Sequence, residues 1–186
     1  PLMLGNVIQQ FYNLADTWIV GRYIGNIGLA AVGSSYTLMT FLTYIIIGLC
    51  LGNSTFISME YGKKNIEKIR NGICISFVMI LAVTVGIIII FYGFLDEIIK
   101  MLQVPKDTVA DMKVYLAYVF IGFFATFIYN YISNVLRAIG NSVIPLIFLG
   151  VSVVLNVFLD ILFVAVLKMG IMGAAVATVI SQYISA

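Results

Sequence analysis

The sequence contains no histidine, and only 10% of its 186 residues are charged. The absence of histidine excludes histidine proton relays and the commonest metal ligand. Cys50 and Cys74 lie in or beside apolar runs, and their spacing fits neither a zinc site nor a disulfide framework. We expect both thiols to be buried packing residues. No basic tract is present that would indicate a nucleic-acid partner.

The chain has far more apolar residues than a soluble protein of its length can bury. Hydrophobic residues make up 62% of it, and the mean hydropathy is +1.12. Apolar side chains cover all faces of the long segments, without the alternation of a β-barrel. We therefore predict an all-α, polytopic membrane protein whose partner is the lipid bilayer. Six segments can each span the membrane as a helix: about 2–20, 29–51, 71–95, 113–136, 143–166 and 170–186.

Basic residues predict the orientation of these segments. Lys63, Lys64, Lys68 and Arg70 fall within eight residues, and cytoplasmic segments of membrane proteins carry an excess of such residues. This density predicts that segment 52–70 lies in the cytoplasm. We also expect the protein to lie in the cell inner (plasma) membrane. Because the sequence starts at Pro1 and stops inside an apolar run, we expect it to be a fragment of a longer chain.

Two carboxylates interrupt the apolar segments. Of the eight acidic residues, only Asp16 and Asp160 stand inside predicted membrane spans. A charged side chain at bilayer depth costs about 3 kcal/mol even on lenient scales, so each is a candidate functional residue.

Other polar residues accompany both acids at helical spacing. Asn156 precedes Asp160 by four positions, and Thr178 precedes Gln182 by four, so each pair shares one helix face. Gln9 and Asn13 form a polar stripe with Asp16 on the first segment; it is expected to face protein or water rather than lipid.

The oxygen atoms of these side chains suit a proton or a small cation such as Na⁺. Burial favours the neutral form of a carboxyl group, which lets it cycle protons, whereas a nearby cation keeps it ionised. The alternative is that each Asp merely hydrogen-bonds a helix end or a neighbouring backbone. No phosphate-binding loop or Gly-x-Ser-x-Gly motif is present. Neither Asp carries the companion motifs of an intramembrane aspartyl protease. We therefore predict that the protein is not an enzyme and uses no cofactor.

Aromatic residues crowd the fourth predicted segment. One interpretation is lipid contact, helix packing and interfacial belts; the other is a cavity wall for flat, hydrophobic, cationic substrates. The residues are Tyr115, Tyr118, Phe120, Phe123, Phe124, Phe127, Tyr129 and Tyr131.

Five motifs in one order resemble the MATE (multidrug and toxic compound extrusion) family, and the match covers essentially the whole chain. They are QQFYNLADTWIVGR at 9–22, GLAAVG at 28–33, LRAIGNSVIP at 136–145, LNVFLD at 155–160 and GIMGAAVATVISQ at 170–182. The resemblance implies the amino-terminal six-helix lobe of a twelve-helix transporter, residues 1–186, with the carboxy-terminal lobe missing. It also implies antiport of hydrophobic, cationic drugs against Na⁺ or H⁺.

Similarity to the DNA-damage-inducible (DinF-like) branch implies a more specific site. Its cation-binding residues match Asp16, Asn156, Asp160 and Thr178, which makes Na⁺ a candidate ligand there. Gln9 and Tyr115 match residues near that site, and we add Asn13 and Gln182 as candidates for the substrate cavity or an outer shell. Pro1 matches a proline that bends the first helix.

Two rival functions are open at this point. The wider superfamily includes flippases of lipid-linked oligosaccharides, which should have a basic cavity for pyrophosphate, yet the predicted spans contain no lysine or arginine apart from those at their ends. A membrane scaffold without transport activity is the other rival, and it predicts that neutralising Asp16 and Asp160 is harmless to function.

Overall fold

The computed structural model describes residues 2–101 and 105–186, and every regular element within them is helical. This confirms the all-α prediction. The helices are Leu2–Tyr23 (α1), Asn26–Gly62 (α2), Ile66–Gly93 (α3), Leu95–Met101 (α4), Lys106–Ala138 (α5), Val143–Asp160 (α6) and Gly170–Ser185 (α7), and a π-helical turn, Ile161–Val166, continues α6.

Several helices are suited to a bilayer. Among the described residues, four stretches are long and apolar enough to cross one: Gly28–Gly62, Ile66–Gly93, Asp107–Ala138 and Val143–Val166. Helix α7 is apolar but shorter. The 22 residues of α1 extend about 33 Å, close to the thickness of a hydrocarbon core, but its polar stripe lowers its hydropathy. The multi-pass membrane prediction is confirmed, whereas the division into six spans of one lobe stays a prediction.

The turn between α2 and α3 is shorter than the sequence suggested. Helix α2 continues to Gly62 and α3 begins at Ile66, so residues predicted to connect two spans are largely helical. Asn65 caps α3 by accepting a hydrogen bond from the backbone N–H of Lys68 at 3.2 Å. The polarity of 52–62 does not end α2 because a helix can continue beyond the bilayer into water, and this stretch contains no proline.

The residues between the predicted spans 71–95 and 113–136 also contain helical structure. They include most of α4, and α5 begins at Lys106, directly after Pro105. The Lys113 ammonium lies 2.5 Å from the Asp96 carboxylate and links α5 to α4. This hydrogen bond and the positive charge lower the pKa of the exposed Asp96 carboxyl group.

Helix α5 is the central element of the bundle and packs against α2, α3, α6 and α7. Phe120, Phe123 and Phe127 on this helix are completely buried. Phe120 stacks on Phe91 of α3 with ring centroids 3.6 Å apart. These aromatic side chains therefore serve helix packing, which favours the first of the two interpretations given above.

The two cysteines have different surroundings. Cys50 is buried, as expected, but Cys74 is exposed on α3. The expectation of two buried thiols is wrong for Cys74, because an apolar membrane helix can present a small thiol to lipid as readily as to a neighbouring helix.

Candidate cation-binding site

One face of α6 carries buried polar groups that have no partner. Asn156 and Asp160 are fully buried. Within the described part of the chain, both amide atoms of Asn156 and both carboxylate oxygens of Asp160 lack a hydrogen bond. Each buried polar group left unpaired costs about 1–3 kcal/mol. Simple structural hydrogen bonding would have satisfied these atoms, so they mark a candidate site.

The opposite face of α6 is apolar. Leu155 and Phe158 belong to an open groove of about 650 Å³ on this side, which is lined entirely by apolar residues and glycine. Leu155 and Phe158 lie on one side of α6, and Asn156 and Asp160 lie on the other. Helix α6 therefore separates an outer apolar surface from an inner polar one.

Regular α-helical structure stops at Asp160, and the π-helical turn follows. The backbone N–H of Leu167 bonds to the carbonyl of Leu162 at 2.9 Å, five residues back. Gly173 of α7 packs against this turn, since a Cβ there would lie 3.1 Å from the Phe163 carbonyl oxygen. A small residue thus permits the close approach of α7. Single π-helical turns are frequent at functional sites.

Helix α1 brings the second acid to the same region. Asp16 is 7% exposed, and its Oδ1 has no hydrogen-bond partner in the part of the chain that the structure describes. Helix α1 packs against α6, the π-helical turn and α7. Asp16 and Asp160 lie close enough for their carboxyl groups to interact electrostatically. The fold therefore brings together the two acids that the sequence singled out, while their role as ion ligands stays a prediction.

Three hydroxyl groups accompany the acids. The hydroxyl of Thr178, a residue only 4% exposed, accepts a hydrogen bond of 3.4 Å from the Tyr12 hydroxyl. Tyr115 of α5 is also buried, and its hydroxyl is an electrostatic neighbour of both acids. We call the following residues the acid cluster: Tyr12, Asp16, Tyr115, Asn156, Asp160 and Thr178.

Tyr12 is a member of the acid cluster that the sequence reasoning did not identify. It precedes Asp16 by four positions, so the two share one side of α1. This spacing is the signal that could have found it. In a chain with 11 tyrosines, spacing alone does not distinguish a functional hydroxyl from one at the membrane interface.

Gln9 and Asn13 lie outside the acid cluster. Gln9 is exposed, because it lies two helical turns from Asp16, about 10 Å along the axis. Sharing a face did not bring it to the same depth. Asn13 is half-buried and donates a hydrogen bond from Nδ2 to the Tyr36 hydroxyl of α2 at 3.1 Å. Pro1 lies outside the described residues.

Gln182 lies one helical turn beyond Thr178, and its Oε1 atom is buried without a partner. This oxygen contacts Gly122 of α5, where an added Cβ would collide with it. The missing side chain at Gly122 therefore creates the space that the Gln182 carboxamide occupies beside the acid cluster.

The collision at Gly122 predicts a coupled effect on stability. Gly122→Ala in the full-length protein should cost about 1–3 kcal/mol of stability, the usual range for overpacking. The same change should cost clearly less in a Gln182→Ala background, because the colliding carboxamide is gone. Thermal unfolding of the four purified proteins in detergent measures both costs. Equal costs in the two backgrounds would contradict this packing, and Gly33→Ala, where nothing lies within 4 Å of the added Cβ, is the control.

The chemistry of the acid cluster fits a proton or a monovalent cation. It offers two carboxylates, one amide and three hydroxyls, all of them hard oxygen donors except the amide nitrogen. No group of three or more His, Cys, Asp or Glu side chains able to hold a metal ion occurs among residues 2–101 and 105–186. Soft or imidazole-binding transition metals therefore have no suitable set of ligands in this part of the chain.

A family model, described as MatE, matches residues 1–162, most of the chain. The chain belongs to the MatE family. The resemblance noted from the sequence motifs is thereby confirmed, and so are membership of a transporter family and the membrane setting of its helices.

Individual MATE proteins match the entire chain. It is 34% identical to the probable multidrug resistance protein YpnP of Bacillus subtilis, over 100% of this chain and 42% of that protein. It is 27% identical to the multidrug export protein MepA of Staphylococcus aureus, over 100% of this chain and 41% of that protein. A crystal structure of MATE in complex with MaD3S matches with a TM-score of 0.92 at 28% identity, over 100% of this chain and 41% of that one. The chain thus spans about two fifths of the length of these relatives.

Proposed function

We propose that this chain is the amino-terminal part of a cation-coupled multidrug efflux antiporter in the plasma membrane. The observation that carries the proposal is the approach of Asp16 and Asp160 from different helices, with oxygens that have no hydrogen-bond partner among the described residues. In a membrane interior, unpaired carboxylates that approach each other are costly unless a proton or cation neutralises them.

The acid cluster would bind the coupling ion, H⁺ or Na⁺. Asp16 and Asp160 would supply the negative charge, and Asn156 and Thr178 would complete the shell with neutral oxygens. Because Asp16 and Tyr12 belong to α1 whereas their partners belong to α6 and α7, binding would change how α1 packs against these helices. An altered α1 would in turn change the affinity of the lobe for drug, which is the differential binding that coupling requires.

The substrates would be hydrophobic, cationic drugs. The names of YpnP and MepA refer to multidrug resistance and multidrug export. Since this chain is about two fifths of such proteins, we propose that a carboxy-terminal lobe supplies the rest of the transport path.

A flippase of lipid-linked oligosaccharide fits the described residues less well. The buried charged residues are Asp16, Glu60 and Asp160, and no lysine or arginine is buried in the described part of the chain. A pyrophosphate group needs basic partners, whereas the acid cluster would repel it.

Efflux from proteoliposomes tests the proposed function. The full-length protein is reconstituted, and ethidium transport is followed under an imposed Na⁺ gradient, an imposed proton gradient, or neither. We expect drug movement opposite to the cation gradient and none without a gradient. Drug transport that is independent of both the Na⁺ gradient and the proton gradient would contradict the proposal. Flipping of a lipid-linked sugar in place of drug transport would also contradict it.

Thr178→Ala separates the two coupling ions. Na⁺ needs several oxygen ligands, so loss of the hydroxyl should raise the Na⁺ concentration for half-maximal efflux if Na⁺ couples. A proton needs only its carboxylate. We expect H⁺ or mixed use, because two carboxyl groups close together share protons readily. Efflux should therefore persist without Na⁺, and its pH midpoint should shift by less than about one unit in the variant.

The control for this prediction is Thr37→Ala, since the Thr37 hydroxyl bonds to the carbonyl of Gly33 in its own helix. Steep Na⁺ dependence at constant pH that weakens in Thr178→Ala and not in Thr37→Ala would overturn the preference for protons.

A further inference from the structure

Helix α2 contains a buried hydroxyl with no hydrogen-bond partner. Ser35 is fully buried, and its Oγ forms no hydrogen bond within the described residues. A hydroxyl group in an apolar membrane interior also needs a hydrogen-bond partner, although it carries no charge.

Other hydroxyls in the bundle avoid this cost locally. Serine and threonine in helices commonly donate to the carbonyl four residues before them. The bonds of this kind are Thr37 to Gly33, Thr55 to Leu51, Ser76 to Gly72, Thr84 to Ile80, Thr126 to Gly122 and Ser181 to Ala177. Ser35 does not bond to the carbonyl of Ala31 in this way, so its Oγ is left without a partner within the described residues.

The packing of α2 against α5 gives the level of Ser35 relative to the residues of α5. Ser54 of α2 donates to the Asn134 carbonyl of α5 at 3.1 Å. Ser35 precedes Ser54 by the same number of residues as Tyr115 precedes Asn134. Among the described stretches long enough to cross a bilayer, one, α3, separates α2 from α5 in the chain, so α2 and α5 run in the same direction. Ser35 therefore lies level with Tyr115, a member of the acid cluster.

Contacts with α1 give the same depth. Asn13, one turn from Asp16, bonds to the hydroxyl of Tyr36, the residue next to Ser35. Glu60 lies at the end of α2, and the Gln182 oxygen lies against Gly122, two turns from Tyr115. The other residues of the described chain with unpaired buried side-chain atoms are Ser35 and three members of the acid cluster: Asp16, Asn156 and Asp160. Unsatisfied polar atoms gathered at one depth of an apolar bundle indicate a shared ligand rather than separate packing defects.

We propose that Ser35 is a further residue of the cation-binding site and supplies a hydroxyl oxygen from α2 to the cation, or to a water bound with it, beside Asp16. This inference rests on the proposed function, because it assigns a ligand to the same site. It gives α2 a part in ion binding, so that binding of the cation would affect the packing of α1, α2, α6 and α7 together. The titratable groups around this position are Tyr12 and Asp16 on α1, Tyr36 on α2, Tyr115 on α5 and Asp160 on α6.

The test compares Ser35 variants of the full-length transporter in proteoliposomes. Ethidium efflux is titrated with Na⁺ at fixed pH and with pH in the absence of Na⁺. For the cation that drives wild-type efflux, Ser35→Ala should raise the concentration for half-maximal efflux by about three- to tenfold, the range for one hydrogen bond. The maximal rate should change little. Ser35→Thr keeps a hydroxyl and should stay within about twofold of the wild type.

Thr84→Ala is the matched control, since Thr84 is equally buried but bonds to the carbonyl of Ile80. If Ser35→Ala does not fold, Ser35→Cys takes its place, because a thiol has a similar shape but binds cations and water poorly. A half-maximal concentration equal to that of Thr84→Ala, or an equal loss with Ser35→Thr, would overturn the inference. Asp160→Asn is measured in parallel: if it abolishes the cation response while Ser35→Ala leaves it unchanged, only the role of Ser35 fails. If Asp160→Asn responds normally, both proposals fail.

Discussion

Asp160→Asn should abolish cation-driven drug efflux by the full-length protein without preventing its insertion into the membrane. The amide keeps the size of the side chain and can still form hydrogen bonds, but it cannot exchange a proton and offers no charge to a cation. Because both carboxylate oxygens of Asp160 lack a partner in residues 2–101 and 105–186, the substitution breaks no hydrogen bond within that part of the chain. Efflux of ethidium and norfloxacin from proteoliposomes measures the loss, which should be at least about a hundredfold because a fully desolvated charge is removed from the ion.

Asp16→Asn should have the same effect, since both acids would act on one ion. Asp107→Asn is the control, because Asp107 is an exposed acid at the start of α5 and its neutralisation should leave efflux unchanged. Normal efflux by either Asp16→Asn or Asp160→Asn would exclude the acid cluster as the coupling site and favour a site in the second lobe or the scaffold interpretation.

The sequence identifies the two acids as candidate functional residues because a carboxylate is costly inside a membrane. In a soluble protein an Asp within an apolar run can reach water at a short distance. At bilayer depth it cannot, so Asp16 and Asp160 were identifiable from their neighbours alone. The four-residue spacing of Asn156 and Asp160 then fixed their shared face, which the fully buried positions of both residues bear out.

Depth along the helix was harder to predict than direction around it. The stripe containing Gln9 and Asp16 has correct helical spacing, yet Gln9 is exposed and Asp16 is buried. Ser35 and Tyr12 were missed for the opposite reason: each reaches its level only through the packing of α2 on α5 or of α1 on α7. No local pattern contains the relative heights of two helices, since these depend on interhelical contacts such as the one between Ser54 and Asn134.

Helix ends were also poorly determined by hydropathy. An apolar run marks where a helix is inside the membrane, not where it ends, and α2 therefore continues past the predicted limit at residue 51 to Gly62. The π-helical turn after Asp160 has no sequence signal of its own. It arises where α6 meets Gly173 and the tight turn before α7, in which Lys168 and Gly170 adopt positive φ angles of 53° and 62°.

Neutralising one acid should also stabilise the protein while it abolishes transport. In the absence of the coupling cation, the wild type contains two buried carboxyl groups with unpaired oxygens that approach each other. At alkaline pH, where the two acids share no proton, Asp16→Asn or Asp160→Asn removes the repulsion, and the new amide can donate a hydrogen bond to the remaining carboxylate. Each single variant should gain about 1–3 kcal/mol, which corresponds to a rise in Tm of several degrees for a domain of this size.

The double variant, Asp16→Asn with Asp160→Asn, should gain no more than either single variant. Once one carboxylate is neutral there is no like charge left to repel, so the second change removes a favourable amide–carboxylate bond instead. Such non-additivity is expected only for residues in contact or in one network. Thermal unfolding of the four purified full-length proteins in cation-free detergent at the same alkaline pH measures it, with Asp107→Asn as the control.

Adding the coupling cation should reverse the order of stabilities. A ligand that binds only the folded state stabilises it by about 2.7 kcal/mol at a hundred times its dissociation constant. The Tm of the wild type should therefore rise with Na⁺ or with acidification, and that of the double Asn variant, which has neither carboxyl group, should not. Gains that simply add in the double variant would mean that the two acids do not interact. A wild-type Tm independent of both Na⁺ and pH would mean that no coupling ion binds there, since a site built from unpaired carboxylates cannot be filled without changing the stability of the fold that holds it.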